Sequence, residues 1–268
     1  MTTPLITYQL DGNIALIGLN RPDKRNAIND PLVDELRAAV LRAHEEADVA
    51  VLYGHGSNFC AGLDLAEALA RATGQIKAPR KRRRHNWHEV FDLIARGPIP
   101  FVAALHGAVV GGGLELAMAA HVRVADETVV CGLPEGQRGI FVGGGGSGRI
   151  PRLMGVARMT DLMMTGRVYD ADEGLAAGLS QYLVDEGQAL AKAMELAERI
   201  AQNAPMSNFA VMHALPRIAE QAQSQGQFTE SLMAAVAEST PEAQRRLRAF
   251  LEGRAGKVVK ATPGTKGK

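Results

Sequence analysis

The sequence contains little that would staple the chain, anchor it in a membrane or charge it strongly. Its two cysteines, Cys60 and Cys131, lie far apart and form no C-x-x-C pair, which argues against a disulfide framework or a thiolate zinc site and for a reducing, intracellular setting. Aromatic residues are only 4% of the chain, so Ala, Leu and Val must carry most of the core. No apolar run approaches the roughly 20 residues of a membrane span. No basic-then-apolar segment opens the chain, and a cytoplasmic protein starting near Met1 is expected. The charges nearly cancel, 30 Lys and Arg against 29 Asp and Glu, so no net field draws the whole molecule to nucleic acid or an anionic surface.

Apolar material is ample: 46% of 268 residues are hydrophobic, enough for one large domain or a domain with an appendage. Residues 5–10 and 13–19 read as strands joined at Asp11-Gly12, a strong hairpin signal. Asp30 is expected to cap a helix whose first position is Pro31, with apolar positions at Leu32, Val33, Leu36, Val40 and Leu41. Buried strands are expected at 49–53 and 101–105, each leading through a glycine-containing loop into a helix. Helix-like residues from Ala66 lose their periodicity toward His85, and 87–95 is amphipathic, with Trp87, Val90, Phe91 and Ile94 on one face.

From about Ala189 the pattern changes to successive helices without strands, over 189–201, 206–223, 228–238 and 241–252. We therefore expect a strand-and-helix core over 1–188, a helical region over 189–255 and a basic, disordered tail over 256–268.

Chemistry concentrates at two loops. Gly111-Gly112-Gly113-Leu114-Glu115-Leu116-Ala117 ends a β-like run and begins a helix. Glycine lets another molecule approach the backbone, and the first amides of a helix have no intrahelical acceptor. Phe59-Cys60-Ala61-Gly62-Leu63-Asp64-Leu65 has the same design. Two amides converging from such loops would hold an oxygen gaining negative charge. The alternative at either loop is a tight strand-to-helix turn. Glu135, after Pro134, pairs in one reading with Glu115 as acids sharing a water; in the other, each is a solvated surface group.

Gly143, Gly145 and Gly148 match G-x-G-x-x-G by letter, but no βαβ unit follows, so a dinucleotide site is rejected in favour of a site wall or a helix start. Arg80, Lys81, Arg82, Arg83 and Arg84 form a basic run: a solvated face, a counter-charge for a phosphorylated small molecule, or, without interleaved aromatics, a less apt nucleic-acid contact. His106 reads as packed or locally bonded, and Ser147 has no paired His and Asp to make it a nucleophile.

Together these stretches resemble a known family. Asn20-Arg21-Pro22-Asp23-Lys24-Arg25-Asn26-Ala27, the two loops, Leu133-Pro134-Glu135, Leu162-Met163-Met164-Thr165-Gly166 and residues 171–179 stand in the order seen in the enoyl-CoA hydratase/isomerase, or crotonase, superfamily. The resemblance spans about residues 5–250. It implies an α/β fold, a spiral of ββα turns with a C-terminal helical trimerisation region, assembled as a homotrimer or hexamer.

It further implies an acyl-CoA substrate and no cofactor beyond the CoA carried by that substrate. The thioester oxygen would lie between the amides of Leu63 and Gly112. CoA would follow Lys24, Arg25, Ala27, Ala61, Asp64, Leu65 and Ala66. Glu115 and Glu135 would hold the water of a 2-enoyl-CoA hydratase, Glu115 helping to activate it and Glu135 passing a proton to Cα. A Δ3,Δ2-enoyl-CoA isomerase, or related hydrolase or lyase chemistry, is the nearest alternative; an RNA- or partner-binding protein of this fold is the alternative outside enzymes. This chain departs from the family pattern over 141–147, where hydratases commonly carry a proline-led Gly-Ala-Gly-Gly turn and Thr-Gln, over 66–87, whose basic cluster is not part of the common pattern, and around Gly253, where a lysine is common.

Overall fold

The computed structural model describes residues 3–75 and 86–254. The basic run Arg80–Arg84 and the expected tail lie outside the described residues. Two compact units are present, Met1–Asn203 and Ala204–Lys268.

The first unit is built on a six-stranded sheet, ordered β1 (Ile6–Asp11), β2 (Ile14–Leu19), β3 (Val49–Gly54), β4 (Phe101–Leu105), β6 (Val122–Asp126) and β9 (Tyr182–Val184). The hairpin β1–β2 is antiparallel, with Ile6 opposite Leu19 and Gly12 in a left-handed turn (φ 58°); every later pairing in this sheet is parallel. Parallel neighbours need crossovers. α1 (Asp30–Glu46) supplies the first, α2 (Leu65–Ala72) and α3 (Asn86–Arg96) the second, and α4 (Gly112–Ala117) follows β4.

A smaller sheet of β5 (Ala108–Val110), β7 (Val130–Gly132) and β8 (Val168–Tyr169) runs beside it, extended by a bridge between Cys60 and Val109. Each turn of the chain thus gives a strand to the large sheet, a strand or bridge to the small one, and a helix. This is the expected ββα spiral. α5 (Gly146–Met154), α6 (Val156–Thr165) and α7 (Ala171–Ala176) complete the wrapping.

The central strands β2, β3, β4 and β6 are largely buried because both faces of the sheet are covered there. Ala15, Ile17, Leu52, Phe101 and Ala103 face one core with Leu36, Val40, Phe91 and Ile94. Ile14, Val49, Val51, Val102 and Val124 face the other, closed by Ala189, Ala193, Leu196 and Ala197 of α8 (Ala189–Ala201). The sequence reading placed α8 in the C-terminal helical region; its alanine-rich face packs on the sheet, so it lies with the first unit.

Two further boundaries differ. The cap of α1 is Asn29, whose side chain accepts the Leu32 N–H at 3.0 Å, so Asp30 is already the first helical residue. The single helix expected from Met206 is divided into α9 (Pro205–Phe209), a π-turn (Ala210–Ala214) and α10 (Leu215–Glu220). The second unit continues with α11 (Gln223–Glu238) and α12 (Pro241–Leu251), and leaves Phe228, Leu232, Leu247, Phe250 and Leu251 exposed. Among the described residues, no helix is long and apolar enough to cross a membrane.

Candidate active site

Asn26 is the hub of the first loop cluster. It is fully buried and left-handed (φ 55°), a region in which asparagine is among the better-tolerated side chains. Its side-chain amide donates to the carbonyls of His55 and Asn58 at 2.9 and 2.7 Å, and its side-chain oxygen accepts the Arg21 N–H at 2.8 Å. This fixes the turn carrying Lys24 and Arg25 against the loop after β3. The Ala61 N–H then donates to the Arg25 carbonyl at 2.9 Å. Nothing in periodicity marks Asn26; only its place in the quoted motif pointed to this turn.

The same architecture frees the Leu63 amide. Ile28 bridges Leu63 in parallel fashion, bonding to the carbonyl of Gly62 (2.7 Å) and the N–H of Asp64 (2.9 Å). The N–H of Leu63 itself points the other way. Gly112, the first residue of α4, follows Gly111, whose φ of 56° and ψ of −125° suit glycine alone. Among the described residues, neither the Leu63 nor the Gly112 amide has an acceptor. The two loops touch: a Cβ on Gly62 would lie 3.2 Å from the Gly112 nitrogen and 2.6 Å from the Val110 carbonyl oxygen.

Both amide-bearing residues line a cavity of about 370 Å³, shared with Lys24, Arg25, Ala27, Ala61, Asp64, Leu65 and Glu135. Sequence reasoning missed Gly111 as a lining residue, and Arg138 and Ile140 entirely. Asp64 is engaged structurally: it pairs with Arg21 at 3.1 Å and caps α2 through the Glu67 N–H at 3.3 Å. Its neighbour Leu65 is thereby held at the cavity mouth. Ala66 is not on the lining and is exposed to solvent, because α2 has already turned away there.

The two glutamates occupy different environments. Glu135 is 5% exposed, and its Oε2 has no hydrogen-bond partner among the described residues. Oε1 lies against Gly111, 3.1 Å from where a Cβ would be. Burial pushes the Glu135 carboxyl above the usual carboxylate range; the Glu115 charge adds to this and Arg138 opposes it. Glu115 does not line the cavity. Its Oε1 accepts the amides of Gly144 and Gly146, both at 2.8 Å, and Oε2 accepts that of Gly143 at 3.2 Å. The glycine-rich stretch is therefore a wall built around the Glu115 carboxylate, continuing into α5, and not a dinucleotide loop. Arg149 closes it by donating to the Gly144 carbonyl at 2.8 Å and pairing with Asp92 of α3.

The remaining candidates have local roles. His106 Nε2 bonds the Gly56 carbonyl at 3.0 Å. Cys60 and Cys131 are free and buried, and desolvation pushes each thiol up to about 12, far from thiolate chemistry.

Residues 9–258 match the family model described as enoyl-CoA hydratase/isomerase. This chain belongs to that family. It is 35% identical over 256 residues to the human mitochondrial "Enoyl-CoA hydratase domain-containing protein 2", covering 93% of this chain and 86% of that protein. Among solved structures, the family likeness extends to a Rhodopseudomonas palustris CGA009 protein, 50% identical with a TM-score of 0.86, covering 93% of this chain and 95% of that one. It extends also to the enoyl-CoA hydratase of Bacillus anthracis, 30% identical with a TM-score of 0.84, over 93% and 97% of the two chains. Family membership supports acyl-CoA chemistry of the crotonase type for this chain.

Proposed function

We propose that the protein hydrates a 2-enoyl-CoA to a 3-hydroxyacyl-CoA. The observation that carries this reading is the juxtaposition, in one cavity, of two acceptor-free amides and a buried carboxylate oxygen without a partner. Water oxygen bonds to Cβ, the π electrons move onto the thioester oxygen, and the resulting enolate accepts hydrogen bonds from Leu63 and Gly112. Such donors act where charge develops and need no reorganisation; losing one costs roughly 3–4 kcal/mol of barrier. The enolate then collapses, taking a proton at Cα from Glu135, and the proton lost by water restores the acid pair. Glu115 participates through Oε2, which has only the long bond from Gly143 and retains acceptor capacity for water.

The CoA moiety runs past Lys24 and Arg25, whose exposed cations suit its phosphates, and past Ala27, Ala61 and Leu65. No cofactor is required. The apolar residues exposed on α11 and α12 fit assembly into a homotrimer or hexamer, and a cytoplasmic location fits two free, buried cysteines.

One observation favours a second reading, Δ3,Δ2-enoyl-CoA isomerisation. Glu115 is held by three glycine amides and is absent from the cavity lining. A single acid, Glu135, would then take a proton from one carbon and return it to another. Glu115→Ala and Glu135→Ala, assayed separately for loss of enoyl conjugation and for isomerisation of a 3-enoyl-CoA, separate the two: hydration needs both residues, isomerisation only Glu135.

A further inference from the structure

Trp87 stands at a position that the chemistry above leaves unused. The first turn of α3 lays its indole on the α-carbon of Gly112: a methyl group there would overlap the six-membered ring, with Cη2 at 3.1 Å. On the neighbouring residue the corresponding space belongs to Glu135 Oε1. A carbonyl oxygen accepting the Gly112 N–H therefore has a carboxylate on the Gly111 side and an indole on the Gly112 side.

Trp87 is not on the lining of the cavity shared by Leu63 and Glu135; its indole occupies the space against the α-carbon of Gly112, the residue whose amide faces that cavity. The ring is only partly buried, yet it is braced. It packs on Phe91 with centroids 5.9 Å apart, and Phe91, fully buried, abuts Gly144, where a Cβ would come within 2.6 Å of its ring. Gly144 is in turn fixed by Glu115 and Arg149.

The geometry points to Trp87 as a specificity-determining residue, its indole closing the acyl side of the site and restricting the acyl group to short or flat chains. This inference rests on the acyl-CoA reading above and deepens it. If CoA leaves past Lys24 and Arg25, an acyl group that continues from the carbonyl past Gly112 meets the indole. Apolar packing of this kind discriminates by about tenfold or more per methylene.

The test uses kcat/KM for crotonyl-, 2-octenoyl- and cinnamoyl-CoA in the wild type, Trp87→Phe and Trp87→Ala, with folding checked by circular dichroism. Trp87→Ala should raise the octenoyl-to-crotonyl ratio about tenfold, through KM more than kcat. Trp87→Phe, which keeps the packing on Phe91, should give an intermediate shift. Because Trp87 is the only tryptophan, its emission reports the site directly. Butyryl-CoA and octanoyl-CoA, which cannot be hydrated, should change it, and CoA alone should not. An unchanged ratio in folded Trp87→Ala, or identical emission changes with CoA and acyl-CoA, overturns the proposal. If the saturated thioesters bind but no enoyl-CoA is hydrated, hydration fails while the ratio of their affinities across the variants still decides the role of Trp87. If no thioester binds, both fall.

Discussion

Glu115 Oε1 accepts the Gly146 N–H at 2.8 Å, and a Cβ on Gly146 would lie 2.6 Å from Glu115 Cγ. The carboxylate and the glycine wall are therefore fitted to each other with no room for a methyl group. Gly146→Ala should destabilise the fold by about 1–3 kcal/mol through overpacking. It should also lower activity more than that loss of folded protein explains, because the wall and Glu115 shift together. Thermal melting and steady-state assays on the same preparation check this.

Glu135→Gln should separate stability from function. Folded Glu135 holds its proton to higher pH than the unfolded chain does, chiefly because of burial. As pH rises from the ordinary carboxylate range through the raised folded value, the folded protein keeps a proton that the unfolded chain has released, so stability falls. Above that window the buried ion is a standing cost, which glutamine removes. The variant should melt above the wild type at neutral pH, and the difference should close below the ordinary carboxylate range. Melting curves across pH 3–8 test the sign; Glu115→Gln, by removing the neighbouring charge, should narrow the window.

Asn26→Ala removes the donor to the His55 and Asn58 carbonyls and the acceptor of the Arg21 amide, all within a fully buried site. A Cβ-only residue at φ 55° is also strained. The expected loss is at least about 2 kcal/mol, since unmet buried polar groups cost about 1–3 kcal/mol each. Denaturant midpoints measure it. Asn26→Gly, free of the strain, should recover only a small part.

Much of this arrangement was legible in the sequence because it is local. The Asp11-Gly12 hairpin, the apolar strands and the glycine corners at Gly62 and Gly111 are each set by neighbouring residues. The order of the motifs then identified the family, and the resemblance implied the amide pair. What was not legible depends on packing between distant segments. Glu115 and Gly143–Gly146 are separated by roughly 30 positions, and their mutual capture leaves no periodic trace. α8 has the composition of the helices after it, yet its alanines meet the sheet. Arg138 and Ile140 lie in an irregular stretch where no pattern assigns a direction to a side chain.

On the proposed reading Lys24 and Arg25 meet the nonreacting CoA end, so Lys24→Ala and Arg25→Ala should raise KM for an acyl-CoA severalfold with little change in kcat. Both residues are exposed at the cavity mouth, so the wild-type advantage should shrink as salt rises. A KM measured against ionic strength for each variant decides it.

The central claim is that Glu135 delivers the proton beside an enolate held by Leu63 and Gly112. Its most direct measurement is the loss of crotonyl-CoA conjugation, followed by ultraviolet absorbance, in the wild type and in Glu135→Gln at matched folded concentration. The account predicts wild-type turnover to 3-hydroxybutyryl-CoA and a fall of about 10²- to 10⁴-fold in the variant, with binding of butyryl-CoA retained. Wild-type activity preserved in Glu135→Gln would contradict it.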